Sequence, residues 1–271
     1  MRKNVLADRI DAGETVLGLG VMYGSAGVIE GMCRGWDWVW IDGQHGQIDC
    51  RTALDQVRAA EIVGVEAVVR VPGHESGILG PFADLCPSGI MVPMVNSAEA
   101  AQAAVKSLRF PPLGERSYGG RRVIDLDGRD YYRERRLVVM AQIETLEAVD
   151  RAEEIAAVEG VDVLFFGPDD MKVRMEVPIN TPPLEHPRLR AAMQATAEAA
   201  LKAGKAAGTV TPSPEGLKTA MQMGYRVLVG GGDIVFMRTR AAEQLEVLRA
   251  VVAGSDAGPA SGGGTTGIYG G

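Results

Sequence analysis

Residues 138–166 read VVMAQIETLEAVDRAEEIAAVEGVDVLFF, and this stretch decides the fold. Val138–Glu144 is nearly continuous in apolar and β-branched character, the pattern of a strand buried on both faces. Thr145 then stands as a helix N-cap in front of Leu146–Val158, which is rich in Ala and Glu. A second strand-like run, Val161–Phe166, closes the unit. Strand, helix and strand in that order form the repeating element of a parallel sheet covered by helices.

The same alternation extends in both directions. The pattern predicts strands over Thr15–Met22, Trp38–Asp42, Ala67–Val71, Ile90–Val95, Val138–Glu144, Val161–Phe166, Ala206–Thr211 and Arg226–Gly230. Between them lie helix-compatible stretches such as Ser97–Leu108, preceded by the cap Asn96-Ser97. Eight such units in one chain are explained by a closed (β/α)8 barrel. The rival is an open doubly wound sheet, which carries an early G-x-G-x-x-G turn. The nearest candidate here, Gly18-Leu19-Gly20 followed by Gly24, has the wrong spacing. The expected fold class is therefore α/β, a TIM barrel, with residues 1–252 as one domain and the Gly/Ser-rich tail 253–271 as a flexible end. Residues from about Arg116 to Arg136 are dense in Arg, Asp and Tyr and read as a polar excursion after the fourth strand.

The bulk numbers agree. A length of 271 residues with 46% hydrophobic content suits one large α/β domain. No apolar run approaches the roughly 20 residues of a membrane helix. Met1-Arg2-Lys3-Asn4 starts basic, but Asp8, Arg9, Asp11 and Glu14 leave no apolar core behind it, so no secretory signal is expected. Cys33, Cys50 and Cys86 form no CxxC pair, which suggests reduced thiols and a cytoplasmic location. A net charge of −7 argues against nucleic acid as a partner, although a pocket can be positive on an acidic protein.

Chemistry on this fold collects at the carboxyl ends of the strands. Strand two ends in Asp42-Gly43-Gln44-His45-Gly46, strand three in Arg70, strand five in Gln142-Ile143-Glu144, and strand six in Gly167-Pro168-Asp169-Asp170. Singly, each has an ordinary explanation: a hydrogen-bonded loop histidine, a salt-bridged arginine, carboxylates favoured by a helix N-terminus. Together, at neighbouring stations of one rim, they point to a site. Glu144 and Asp170 with water and substrate oxygens would suit a hard ion, Mg²⁺ or Mn²⁺ with Co²⁺ as an alternative. Such an ion and Arg70 would stabilise an enolate next to a carboxylate, and His45 could shuttle a proton. No lysine stands at the end of strand six for iminium chemistry, and Lys172 is expected to be solvated.

Trp38–Gly46, Arg70, Leu85–Val95, Arg109–Arg116, Gln142–Thr145, Val158–Asp162 and Phe166–Asp170 resemble the HpcH/HpaI aldolase family, in order, over roughly residues 5 to 250. The resemblance implies a class II, divalent-metal aldolase that releases pyruvate from 4-hydroxy-2-oxo acids. By that likeness Glu144 and Asp170 would hold the metal, Arg70 the pyruvyl oxygen, and His45 would be the acid–base group with Asp84 orienting it. Asp42 and Gln44 would stand behind the metal. Gln142 and the backbone at Gly167 and Pro168 would meet the substrate. The partners implied are a 2-oxo acid, an aldehyde and other copies of the chain, as a homohexamer of dimers that exchange their last helix.

Three features depart from the family pattern. Gln44 stands where the family has Glu, Asp169, Met171 and Lys172 replace its Ala, Leu and Ser, and Glu115–Arg122 replaces Gly-x-Arg-Gly. Alternatives that remain at this point are an oxaloacetate decarboxylase, a CoA-type lyase and a catalytically silent binding barrel.

Overall fold

The computed structural model describes residues 2–254. Eight strands, β1 (Val16–Val21), β2 (Trp38–Asp42), β3 (Glu66–Arg70), β4 (Gly89–Val92), β5 (Val138–Ile143), β6 (Val163–Phe166), β7 (Ala206–Val210) and β8 (Tyr225–Gly232), close into a parallel barrel in sequence order. The helices are α1 (Val5–Asp11), α2 (Ala26–Met32), α3 (Cys50–Val63), α4 (Ser76–Asp84), α5 (Ala98–Leu108), α6 (Arg121–Asp127) and α7 (Tyr131–Glu134). They continue with α8 (Leu146–Asp150), α9 (Ala152–Ala156), α10 (Pro168–Arg174), α11 (Pro187–Lys202), α12 (Pro214–Gln222) and α13 (Asp233–Val252). Every expected strand is present, with ends shifted by up to three residues. The expected helix Leu146–Val158 is two pieces, α8 and α9, separated at Arg151 (φ −107°, ψ 12°).

Alternate side chains along each strand serve two separate cores, which is why the strands read as unbroken apolar runs. Inside the barrel pack Trp38, Val68, Met91, Val138, Met140, Val163, Phe165, Val227 and Val229. Their neighbours Val39, Val69, Ile90, Val139 and Leu164 face outward and pack with helix residues such as Leu79, Ile155 and Leu189. Each large apolar side chain so buried contributes about 1.5–3 kcal/mol. Trp38 fits inside because position 18 is glycine; a Cβ there would run into the indole.

Helix α1 closes the amino end of the barrel. Leu6, Ala7 and Ile10 join the interior core, while the Asn4 side chain caps the helix and donates to the carbonyls of Ser88 and Arg136.

The segment expected to be a polar excursion is instead built around a small core. Val123 and Tyr131 of α6 and α7 bury against Cys86, with Phe110 and Ile124 beside them. The Asp127 side chain is fully buried between Arg135 (2.6 Å) and Arg2 (3.3 Å). Several of the charges that gave this segment its polar character are paired, Asp127 with Arg2 and Arg135, Arg116 with Asp84 and Arg122 with Glu61.

Among the described residues, 2–233 form one compact unit and 234–254 a second. The second is helical to Val252, with Phe236, Leu245 and Leu248 exposed. Most of the expected tail, 255–271, lies outside the described residues. Among the described residues no helix is long and apolar enough to cross a membrane.

Candidate active site

The register of β2 and β3 sets Asp42 directly opposite Arg70. Both point into the barrel, in the same alternation as Trp38, Trp40 and Val68, one layer above the apolar core. Arg70 donates to Asp42 twice, from Nε (2.9 Å) and Nη2 (2.6 Å), and its guanidinium lies 4.6 Å from the Trp40 ring centroid. Using Nε and Nη2 on one carboxylate turns Nη1 away from it, so that edge is left for another oxygen. Both residues are buried. Burial opposes the Asp42 charge, but the Arg70 bonds and charge and the amides of His45 and Gln44 outweigh it and hold the carboxyl below its usual range.

Asp42 also shapes the turn that carries the histidine. Its Oδ1 accepts from the backbone N–H groups of Gln44 (3.0 Å) and His45 (3.2 Å). Its carbonyl accepts from Gly46 (3.1 Å), while Gly43 donates to the Arg70 carbonyl (2.8 Å). One carboxylate thus couples the arginine to the His45 turn. His45 itself is exposed.

Glu144, just past β5, is 1% exposed. Its Oε2 accepts from the N–H of Met94 (2.9 Å), a residue in left-handed conformation (φ 54°) after β4. Burial pushes the Glu144 carboxyl up; the Met94 bond opposes this, the Asp170 charge adds to it, and Arg70 and Arg174 oppose it. Glu144, Asp170, Arg70 and Arg174 therefore share one electrostatic neighbourhood. Gly167 leaves the room this requires. A Cβ there would lie 2.7 Å from Glu144 Cγ, 2.9 Å from its Oε1 and 3.2 Å from Gln142 Nε2.

Asp170 lies in the first turn of α10, whose N1 residue is Pro168. The two backbone positions expected to meet substrate carry no available donor of their own. Gly167 N–H bonds the Ile143 carbonyl (3.0 Å), and proline has no N–H. The amides at this turn without a partner inside the helix are those of Asp169 and Asp170.

Asp84 and His45 are not joined by a hydrogen bond among the described residues. Asp84 ends α4, roughly 12 Å along the helix from Ser76, and its Oδ1 accepts from Arg116 Nη2 (2.6 Å). Lys172 is not solvated as expected. It is 6% exposed and its Nζ reaches Asp169 Oδ1 and the Ile179 carbonyl, each at 3.0 Å. The long aliphatic stem packs inward while the ammonium folds back onto its own helix and the loop behind it.

The donor set fits a hard divalent cation. Among the described residues no group of three or more His, Cys, Asp or Glu is placed to hold a metal. Two coupled carboxylates remain, Glu144 and Asp170, and beside Glu144 the buried Oε1 of Gln142 has no hydrogen-bond partner. Oxygen donors of this number leave further positions to water and substrate, as Mg²⁺ and Mn²⁺ sites do. Gln44 Oε1 is likewise buried without a partner.

Sequence reasoning missed Met94 and Arg174. A left-handed methionine leaves no signature in the sequence. Arg174 was legible in principle, four residues beyond Asp170 on a short helix.

The family described as HpcH/HpaI aldolase/citrate lyase matches this chain over residues 28–239. A hydroxypyruvate/pyruvate aldolase from Delftia acidovorans is 35% identical over 232 residues, 84% of this chain and 85% of its own length. A 4-hydroxy-2-oxovalerate aldolase from Novosphingobium aromaticivorans is 44% identical over 142 residues, 51% of this chain and 54% of the relative. The crystal structure of an HpcH/HpaI aldolase/citrate lyase family protein from Burkholderia cenocepacia superposes with a TM-score of 0.83 at 30% identity, covering 91% of this chain and 100% of the other.

Proposed function

The chain belongs to the HpcH/HpaI aldolase/citrate lyase family and is a carbon–carbon lyase, and on that premise we propose that it cleaves and forms 4-hydroxy-2-oxo acids through the enolate of pyruvate. The observation that carries this reading is the buried Arg70 guanidinium, held by Asp42 with its Nη1 edge turned away, in the same electrostatic neighbourhood as Glu144 and Asp170.

Glu144 and Asp170 are the residues we assign to a divalent ion, with the Gln142 amide beside them. When bound, such an ion supplies Lewis-acid polarisation of the substrate's keto oxygen. Arg70 directs its Nη1 donors to the same oxygen, where negative charge grows as the C3–C4 bond breaks. The C4 hydroxyl loses its proton, the electron pair of the broken bond passes to the C3–C2 unit, and the aldehyde leaves. Return of a proton to C3 gives pyruvate. His45, on the turn fixed by Asp42, is assigned to move these protons, since an imidazole can both donate and accept one. The amides of Asp169 and Asp170 are assigned to the substrate carboxylate, next to Gly167 and Pro168. Asp84 is held by Arg116 within its own chain, so its role in orienting His45 would be exercised across a contact between copies.

We further propose a homohexameric assembly in the cytoplasm; the exposed apolar residues Phe236, Leu245 and Leu248 of the last helix are of the kind that an exchanged helix buries on a partner.

The test is coupled detection of pyruvate from a panel of 4-hydroxy-2-oxo acids and oxaloacetate, in EDTA and then with Mg²⁺, Mn²⁺ or Co²⁺. Pyruvate is expected with a 4-hydroxy-2-oxo acid only when metal is present. Full rates in EDTA would remove the metal assignment. Silence across the hydroxy-oxo acids with metal bound would remove the aldolase reading, and turnover of oxaloacetate alone would replace it by a decarboxylase.

A further inference from the structure

Helix α10 carries two residues toward the barrel mouth. Asp170 lies in its first turn and Arg174 is its last residue, four positions on, so the two share one helix face. Arg174 is exposed, and its Nη2 lies 3.7 Å from the sulfur of Met94. The same Met94 donates its N–H to the buried Oε2 of Glu144 (2.9 Å). One residue therefore spaces the guanidinium from the carboxylate that anchors the site.

The partners of Arg174 are weak. A thioether is a poor acceptor, and among the described residues no carboxylate forms an ion pair with this arginine; the ion pair on α10 joins Lys172 to Asp169. Arg70, deeper in the mouth, is by contrast committed to Asp42 through two hydrogen bonds. The mouth thus has an inner cation held in place and an outer one with its fork of donors unsatisfied by charge. Glu144 and Asp170 between them would repel an anionic substrate unless a cation met it.

We infer that Arg174 recognises an anionic group at the far end of the aldehyde half of the substrate, so that the enzyme prefers aldehydes carrying a carboxylate or phosphate over their neutral counterparts. The inference rests on the aldolase reading above. With the pyruvyl end at Arg70, the other half of the substrate extends outward past Glu144 and Met94, where the guanidinium offers planar, two-point recognition of a carboxylate or phosphate.

The experiment measures kcat/KM for addition of pyruvate to two matched pairs of aldehydes, with metal added. Butanal is set against succinic semialdehyde, and glyceraldehyde against glyceraldehyde 3-phosphate. Wild type is expected to favour the anionic member of at least one pair, and which pair responds tells carboxylate from phosphate. Arg174→Ala should lower the anionic rate by about 10- to 100-fold while changing the neutral rate by less than about 3-fold. Arg174→Lys should retain part of the preference, and Arg174→Glu should reverse it. Added KCl should narrow the wild-type preference and leave that of Arg174→Ala unchanged. Equal losses on both members of a pair would mean that Arg174 acts only through Met94 and Glu144, and would overturn the inference. Aldol turnover in wild type without any anionic preference overturns it alone, whereas no turnover with any aldehyde removes the aldolase reading and the inference together.

Discussion

Asp42 and Arg70 sit opposite each other on neighbouring strands and share two hydrogen bonds, 2.9 and 2.6 Å, with both side chains almost wholly removed from solvent. The same Asp42 oxygen that receives Nε also receives the backbone amides of Gln44 and His45. Orientation of the cation and shape of the histidine turn therefore depend on one carboxylate.

Replacing Asp42 by Asn should disturb both at once. The buried guanidinium loses its counter-charge, which costs about 3 kcal/mol in a pair of this kind, and the His45 turn loosens. Expected outcomes are a lowered Tm and a kcat/KM for pyruvate release reduced more than about 100-fold. Wild-type kinetics in a well-folded Asp42→Asn would show that the pair is structural only.

The same pair sets an acid limit. The Asp42 carboxyl is depressed in the folded protein, so its contribution to stability is fully present above the unfolded value of about 3.9 and is lost as pH falls through the lower folded value. Wild type should lose more stability than Asp42→Asn as the pH is lowered below about 4. Parallel stability curves for the two over that range would contradict the assignment.

Glu144 behaves in the opposite sense. Burial raises its carboxyl, so in metal-free protein its charge opposes folding increasingly as pH rises through the raised value. Glu144→Gln should therefore unfold no earlier than wild type at pH 7 in EDTA, yet lose turnover. Wild type should gain Tm with Mn²⁺, and the variant should not. A metal-dependent Tm rise of equal size in both proteins would exclude Glu144 as a ligand.

Gly167 has no room for a side chain, because a Cβ would meet Glu144 and Gln142 at 2.7–3.2 Å. Gly167→Ala should cost about 1–3 kcal/mol by overpacking and lower kcat/KM by displacing the Glu144 carboxylate. If activity and metal affinity both stay at wild-type levels, the cradle has been misread.

Asp127 offers a control away from the mouth. Its carboxylate is fully buried between Arg2 and Arg135, so Asp127→Ala should destabilise by about 3 kcal/mol. Activity per folded molecule should stay unchanged, as measured by active-site titration against the folded fraction at low temperature. A selective loss of kcat in a folded sample would tie the α6–α7 segment to the site.

Most of the barrel was legible in the amino-acid order. Val138–Glu144, Trp38–Asp42 and their counterparts announce strands because burial on both faces makes every position apolar, and that signal is local. The placement of Asp42, Gln44, His45, Arg70, Gln142, Glu144 and Asp170 at or just past the carboxyl ends of strands came from the same alternation. Charged positions were harder to read. Lys172 and the Asp127 side chain look like surface groups in sequence and are buried in the fold. Asp127 is met by Arg2 from the distant amino terminus, whereas Lys172 is met by Asp169 and the Ile179 carbonyl close by in the chain, and its burial is set by how α10 packs.

By itself, then, the sequence determined eight β/α units, the rim on which the polar residues collect, and the family to which they belong, since hydrophobic period and strand-end position are written in neighbouring residues. Only the tertiary structure decided which groups act on one another. Met94 meets Glu144 across 50 residues, Asp42 meets Arg70 across 28, and Asp84 is taken by Arg116 across 32. The reason is physical: a hydrogen bond depends on where two atoms end up to within a few tenths of an ångström, and only closure of the barrel sets that distance.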